Sequence, residues 1–569
     1  MNAPTLALVA RPERLRLVGQ RRQTLAVVHQ RLMLGMLVYV GIIGLIVVRI
    51  LYLAAFGDHA GRKAGVTSLI PERGDIVDRD GHPLARTIDA WTIALHPGKI
   101  IGNKLDLAHR LAALMPEKDA VGYYAMMKSD KPFFYLRRRA APDVVQAVNA
   151  LGEPGLAIDR EPDRLYPQTS LAAHVIGYTD IDGRGVAGIE RAFEEQLASP
   201  VTRGEPITLS ISSRIQQALE HELLAAMTTY SAIGAAGIVM DIHTGEILAM
   251  TSLPQLNPNV AGQGSPEARF NRATSGVYEL GSTFKPFTVA MAMDSGIIKS
   301  FGKMYNCPAS LSVGRFSISD THPFKRACSV AEIMKESSNI GTAQIAAQVG
   351  AKRQQAFLGQ MGFLAPVAVE LKERGRPLTP GNNWGEIATM TVGFGHGIAV
   401  TPLHLATGYA TLFNGGIWRP ATLLKVGTGH PVAAGHRAFS EDTSYKMRAL
   451  LRLVVTQGTG KNADAPGYRV GGKTGTAEKL LGGHYTSSAV VTTFAGVFPM
   501  DEPRYVVVAM LDDPKPTKDT YGYHTAGWNV APVVGKTIGR IAPMLGVRPD
   551  KRREPNMAEV LPFVHAKDD

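Results

Sequence analysis

Cysteine is almost missing from this chain: Cys307 and Cys328 are the only two among 569 residues. No zinc-ligand spacing is present, and neither a metal nor a cofactor is expected. The two cysteines can pair outside a reducing cytoplasm, although two buried thiols is the plainer expectation, and neither has a catalytic place. Long polar low-complexity segments are missing, as are repeats of roughly 20–50 residues. Lys plus Arg number 61 against 49 for Asp plus Glu, a formal net charge of +12, yet the bases are spread along the chain. No basic run is interleaved with aromatics, so no nucleic-acid partner is expected. Attraction to anionic membrane or wall surfaces explains the charge more simply. Hydrophobic residues are 45% and charged residues 19%, enough for packed cores in two or three domains.

Long apolar runs are also scarce, and the exception is informative. "LMLGMLVYVGIIGLIVV", Leu32 to Val48, carries no charge; Arg49 and "ILYLAAF" follow. A membrane-crossing helix needs about 20 apolar residues, which this run supplies if Arg49 snorkels to the headgroups. The apolar core is too long for a cleaved signal peptide, and "LAAF" is a poor cleavage site. Arg11, Arg14, Arg16, Arg21, Arg22 and Arg31 precede it, opposed only by Glu13. Positive flanks stay in the cytoplasm. The expectation is a bitopic protein: a basic cytoplasmic tail (1–31), a transmembrane signal-anchor helix (32–56) and a large outer part.

The outer part changes character near residue 233. Before it (57–232), short β-like stretches alternate with a few helices, and "RGDIVDRDGHPLA" marks a turn at Asp80-Gly81. Nothing there has catalytic spacing, so this is read as an elongated, non-catalytic α+β module. From 233 to 545, "GAAGIVMDIHTGEILAMTSLP" gives two β-like runs about a turn, and "SSAVVTTFAGVFP" and "RYVVVAMLDD" give two more. An apolar helix follows "GSTFKP". A sheet carrying helices from the middle of the sequence makes an α/β or α+β sandwich. Residues 546–569 are rich in charge and read as a tail.

"GYRVGGKTGTA", Gly467 to Ala477, fits two incompatible chemistries. Its first eight residues match the phosphate-loop pattern G-x-x-x-x-G-K-[ST], and its middle is K-T-G. A phosphate loop follows a hydrophobic strand and opens a helix. Here polar "KNADAP" precedes and glycines follow, and nucleoside triphosphates are scarce outside the cell. The K-T-G reading gains support from order. Ser282-Thr283-Phe284-Lys285 is S-x-x-K, Ser337-Ser338-Asn339 is S-x-N, and Lys473-Thr474-Gly475 comes third. Each alone is weak; a chain this long holds an S-x-x-K by chance on the order of once, and Ser300-Phe301-Gly302-Lys303 is another. The ordered set in one domain is far more specific.

The chemistry accounts for the spacing. Ser282 and Lys285 share one helix face, and Pro286 suits only a first turn. Ser282 therefore sits near a helix N-terminus, where unpaired N–H groups can stabilise an oxyanion. The helix dipole, burial and Lys473 all favour a neutral Lys285 that takes the Ser282 proton. Ser337 relays a proton to a leaving amine and Asn339 bonds a substrate amide. Lys473 supplies positive charge, Thr474 and Thr476 hold a terminal carboxylate, and Gly475 lets a substrate backbone approach a strand edge.

These residues resemble the penicillin-binding proteins, specifically the monofunctional class B type. "YELGSTFKPF" is similar to the family's nucleophile region, with Leu280 where many members have Pro. "RGDIVDRDGHPLA" and "GIERAFEEQL" resemble its N-terminal module, and "TVGFGHGIAVTPLHLATGYATLFNGG" resembles the stretch between its second and third motifs. The resemblance implies an antiparallel sheet between helical layers and a dimerisation-type module before it. It implies a D,D-transpeptidase that cross-links peptidoglycan stems ending in D-Ala-D-Ala through an ester on Ser282, trapped by β-lactams. The implied oxyanion hole is the backbone N–H of Ser282 and of Thr476. The "VGFGHGIAVTPLHLA" stretch is more similar to the septal, division type than to the elongation type, and a catalytically inactive wall-synthesis scaffold is the remaining alternative. Division-type members imply divisome partners, among them a multi-span glycosyltransferase that uses lipid-linked precursor. The membrane helix, with Arg49, and the Arg73–Ala85 region are expected to dock it. The implied location is the inner membrane, with the N-terminus in the cytoplasm and the catalytic domain in the periplasm.

Overall fold

The computed structural model describes residues 30–49, 73–427, 429–482 and 484–565. The chain divides into two units, 1–70 and 71–569. In the first, α1 (Gln30–Arg49) is one helix whose side chains are exposed along its length. At 1.5 Å per residue it is about 30 Å long, the thickness of a bilayer's hydrocarbon core. Residues 1–29 of the expected basic tail and 50–56 of the expected span lie outside the described residues.

The second unit opens with a small sheet. β1 (Ile76–Val77) and β2 (Pro83–Leu95) run antiparallel about the turn that Asp80-Gly81 signalled. Asp78 Oδ1 accepts the N–H groups of Asp80 and His82, and Gly81 takes a φ of 88°. β2 also pairs with β3 (Phe134–Arg137) and β4 (Leu156–Leu165), while β1 pairs in parallel with β5 (Ile207–Thr208). Three helices, α2 (Lys104–Leu114), α3 (Ala120–Met127) and α4 (Pro142–Asn149), cluster with the sheet about Ile93, Leu95, Leu111, Met127 and Val148. Asn103 starts α2 by accepting the N–H groups of Leu105 and Asp106.

An ion cluster closes this module. Arg73 Nε and Arg164 Nε reach the two oxygens of fully buried Glu190 at 2.6 and 2.7 Å, and Arg73 also pairs with Glu194 at 2.8 Å. Removing one partner of such a buried set costs about 3–5 kcal/mol, because a charge is stranded. Arg73, expected on a docking surface, is 6% exposed and turned inward. The reason is electrostatic: its guanidinium is the counter-charge for Glu190.

The larger sheet comes from the two ends of the remaining chain. α5 (Ser213–Thr229) precedes β6 (Gly234–Asp241) and β7 (Ile247–Leu253); β8 (Gly471–Leu481), β9 (His484–Phe498) and β10 (Tyr505–Asp512) come late. Their order is β8-β9-β10-β6-β7, with all neighbours antiparallel. Side chains alternate between faces, as the two-residue strand period requires. Ile238, Met240, Val508 and Met510 share one core with helices α6 (Lys285–Asp294), α7 (Val330–Glu336), α8 (Asn339–Val349), α9 (Pro402–Phe413) and α10 (Glu441–Gln457). Val239, Val507 and Leu511 share the other with α5 and α11 (Ala531–Ile541). The expected sheet between helical layers is therefore present. Cys307 and Cys328 are joined as a disulfide with Cα atoms 5.8 Å apart, where two free thiols were the plainer expectation.

As far as residue 565, the charged segment after 545, read as a tail, packs back on the domain. Val547 and Val560 are buried, and Glu554 holds Arg452 with both oxygens at 2.7 Å. The Ser329 hydroxyl donates to the Phe563 carbonyl at 2.7 Å. A few apolar anchors and one bidentate pair fix a stretch whose composition reads as solvated.

Candidate active site

Ser282 lies in a tight turn, Gly281–Phe284, that runs directly into α6 with Pro286 in its first turn. The turn is pressed against edge strand β8, backbone to backbone. A Cβ on Gly475 would stand 2.2 Å from the Leu280 carbonyl, and one on Gly281 (φ 53°) 2.9 Å from that of Thr476. Only glycine allows this approach. It brings the backbone around Ser282 beside that of Thr476, the two residues whose N–H groups were expected to form an oxyanion hole. Beneath the turn, Phe363 packs 5.1 Å from Phe284 and 4.9 Å from Phe287, and the Tyr409 hydroxyl donates to the Thr283 carbonyl at 3.0 Å.

Lys285 is fully buried, and its bonds lead to the second motif. Its amine lies within hydrogen-bond reach of the Ser337 carbonyl, of Ser337 Oγ at 3.1 Å and of Asn339 Oδ1 at 2.8 Å. Lys473, on β8 and equally buried, donates to Ser337 Oγ at 2.9 Å and to the Thr474 carbonyl at 3.1 Å. The Ser337 hydroxyl thus stands between two amines. It reaches this place because α7 ends on it in a left-handed conformation, φ 65°, unusual for a residue with a Cβ. Burial pushes Lys473 down to about 7. Burial first, and then the Lys473 charge, hold Lys285 well below its ordinary value, with Asp320 opposing. Two adjacent buried ammonium ions are not sustained together, so near neutral pH the pair offers a free amine as base.

The Ser282 hydroxyl has no hydrogen-bond partner among the described residues; such contacts commonly tighten only when substrate arrives. Asn339 spends its carbonyl oxygen on Lys285 and one Nδ2 hydrogen on the Ser319 carbonyl at 3.1 Å, leaving a second hydrogen. The Thr474 hydroxyl shares a 2.8 Å bond with Thr459, and exposed Thr476 accepts the Ala526 N–H at 3.1 Å. The rival S-x-x-K is a surface turn: Ser300 Oγ accepts the Gly302 N–H at 3.1 Å, and Lys303 donates to Gln348 at 2.8 Å. Residues 471–481 form a strand, which excludes a phosphate loop opening a helix.

Three contributors escaped the sequence reading. Thr459 and Asp320 act by tertiary contact, with no spacing to announce them. Glu279 accepts from the Tyr485 hydroxyl at 2.8 Å and the Gly397 N–H at 3.0 Å, and pairs with His396 at 3.0 Å. It ties the approach to Ser282 to the Gly397 loop and to β9. Burial opposes its ionisation, but the bonds from His396 and Tyr485 outweigh this and keep it below the usual carboxylate range. Its place three residues before Ser282 was the available signal.

Residues 235–535 match the family described as the penicillin binding protein transpeptidase domain, and residues 68–200 the penicillin-binding protein dimerisation domain. The chain belongs to the penicillin-binding protein transpeptidase family, in the form that carries the dimerisation domain ahead of the serine transpeptidase domain. Among curated relatives, the probable peptidoglycan D,D-transpeptidase FtsI of Caulobacter vibrioides is 38% identical over 507 residues, 87% of this chain and 85% of that one. The peptidoglycan D,D-transpeptidase FtsI of Escherichia coli K12 is 29% identical, covering 86% of each chain. The crystal structure of penicillin binding protein 3 from Mycobacterium tuberculosis, complexed with ampicillin, superposes with a TM-score of 0.68 at 26% identity, over 86% of this chain and 99% of that one. The same Mycobacterium protein has a structure complexed with aztreonam.

Proposed function

We propose that this chain is the division-type peptidoglycan D,D-transpeptidase of a wall-building bacterium and that Ser282 is its nucleophile. The observation that carries the assignment is the Ser337 hydroxyl, within hydrogen-bond reach of buried Lys473 and of buried Lys285, the residue that follows the Ser282 turn. A neutral Lys285 takes the Ser282 proton as Oγ attacks the D-Ala-D-Ala carbonyl. The N–H groups of Ser282 and Thr476 meet the oxyanion. Ser337 passes the proton to the departing D-Ala amine, and the amine of a neighbouring stem resolves the ester. Lys473 with Thr474 and Thr476 holds the donor's carboxylate, Gly475 admits its backbone to the β8 edge, and Asn339 offers its free Nδ2 hydrogen to an amide. β-lactams present the same carboxylate and acyl group and are trapped on Ser282.

The test is covalent labelling of the full-length protein in detergent with a fluorescent penicillin. Label is expected on wild type and on Ser300→Ala, and not on Ser282→Ala. An unlabelled but folded wild type, or a labelled Ser282→Ala, overturns the assignment. Complementation of growth by Ser282→Ala would replace it with a scaffold role. A membrane-embedded glycosyltransferase, docked on α1 through Arg49, is the partner in this reading. Unchanged co-purification of such a polymerase with Arg49→Leu removes it.

A further inference from the structure

Several donors around the S-x-N corner converge on one carboxylate. Asp320 lies in "SISDTHPF", inside the loop that the Cys307–Cys328 bridge closes. Its Oδ2 accepts from the Ser338 hydroxyl at 2.5 Å. Its Oδ1 accepts the backbone N–H of Asn339 and, at 3.1 Å, that of Ile340. Asn339 and Ile340 open α8, so the carboxylate takes two of the orphan donors at a helix N-terminus, where negative charge is favoured. The other side of the same turn carries the catalytic contacts: the Ser337 carbonyl and hydroxyl and the Asn339 amide oxygen hold Lys285. Asn339 takes part on both sides, its backbone on Asp320 and its side chain on the lysine.

We propose that Asp320 is a positioning residue for acylation: its carboxylate pins the Ser337–Asn339 turn so that this turn presents its acceptors to Lys285. The loop is built to deliver it. A short ladder joins Met304–Tyr305 to Cys328–Ser329 beside the disulfide. Ile318, two residues before Asp320, packs in one cluster with Ile340 and Ala343 of α8. The charge itself has a second effect. Lys285 is faced by the ionisable groups of Lys473 and Asp320, and Asp320 favours its protonated form.

This inference rests on the reading of Ser282 as the acylated residue. Failure of wild type to label defeats that reading, whereas the variants, judged against a wild type that labels, decide the role of Asp320. The experiment measures the acylation rate of the full-length protein by a fluorescent penicillin between pH 6 and 9, together with melting temperature, for Asp320→Ala and Asp320→Asn. Asp320→Ala frees the turn, and a loss of about 10²-fold is expected, the scale of an ångström-sized misplacement. Asp320→Asn keeps an acceptor for the two N–H groups but gives up the charge. A loss on the order of tenfold is expected, since charge-assisted bonds are roughly twice as strong as neutral ones. Its acid limb should move to lower pH, because Lys285 has lost the group that favours its protonation. A purely structural role predicts lower melting temperatures with an unchanged rate and pH profile for the folded protein. That outcome in Asp320→Asn overturns the proposal, even if Asp320→Ala does not fold.

Discussion

Two amines without solvent are costly to keep, and here the cost accompanies the reactivity proposed for the site. Burial lowers Lys473 to about 7 in the fold, from an ordinary 10.5. By the usual conversion this is a penalty on the order of 5 kcal/mol. Between those two values the unfolded state binds more protons than the native one. The penalty is therefore full below pH 7 and is relieved as pH rises towards 10.5. Replacing a buried charge by an apolar group of similar volume commonly gains about 1–4 kcal/mol. Lys473→Met should melt above wild type at pH 7, with the gap narrowing towards pH 9, while penicillin labelling is lost. A variant that melts below wild type at pH 7 would show that Lys473 is held by more than function. Residues of this kind were legible because the chemistry dictates their type and spacing: a hydroxyl and an amine one helical turn apart, then a second hydroxyl and a second amine. Asp320 and Thr459 were not legible, and Glu279 was marked only by its place three residues before Ser282. Each acts through a contact that only the fold makes, Glu279 with Gly397 and Tyr485, Asp320 with Ser338 and Asn339, and Thr459 with Thr474.

At the scale of elements, the loop from Cys307 to Cys328 carries Asp320 to the Ser338–Asn339 turn. It contains a two-stranded hairpin, Leu311–Val313 with Phe316–Ile318, and then Asp320. The bridge spans 21 residues of sequence. In the loop-entropy account a link of this length contributes about 3 kcal/mol. The ladder at its base and the packing of Ile318 remain when the link is lost, so loosening rather than collapse is expected. The double variant Cys307→Ser with Cys328→Ser should melt a few degrees below wild type. Reductant should lower the wild-type melting temperature towards that value and leave the variant unmoved. A wild type indifferent to reductant would show that the bridge contributes nothing measurable. The long elements around this loop were legible: β6, β7, β9 and β10 from their apolar runs and turn signals, and α6 from Pro286 and the apolar stretch after it. The hairpin was not, since its three-residue strands are too short for an alternating pattern to register.

The whole molecule poses a question that the fold alone does not answer, namely which side of a membrane the catalytic module occupies. α1 is long and apolar enough to cross. Arg11, Arg14, Arg16, Arg21, Arg22 and Arg31 precede its apolar stretch against a single Glu13. Such a bias supports the proposed orientation, basic flank in the cytoplasm and catalytic module across the membrane. The Cys307–Cys328 bridge argues the same way on independent grounds, because disulfides persist in oxidising compartments and are rare in the cytosol. The stem peptides and β-lactams proposed as ligands would be met on that outer side. Composition concealed one feature at this scale: the last charged stretch is bound to the domain through Arg452 and Glu554, a contact between distant parts of the chain. The orientation is tested with the full chain fused at its C-terminus to alkaline phosphatase, which is active only after export. Phosphatase activity is expected, together with resistance of Cys307 and Cys328 to maleimide in the denatured, unreduced protein. An inactive fusion with both thiols alkylated would place the catalytic module in the cytoplasm. Such a result would separate the site from its wall substrate, however well the geometry at Ser282 suits the reaction.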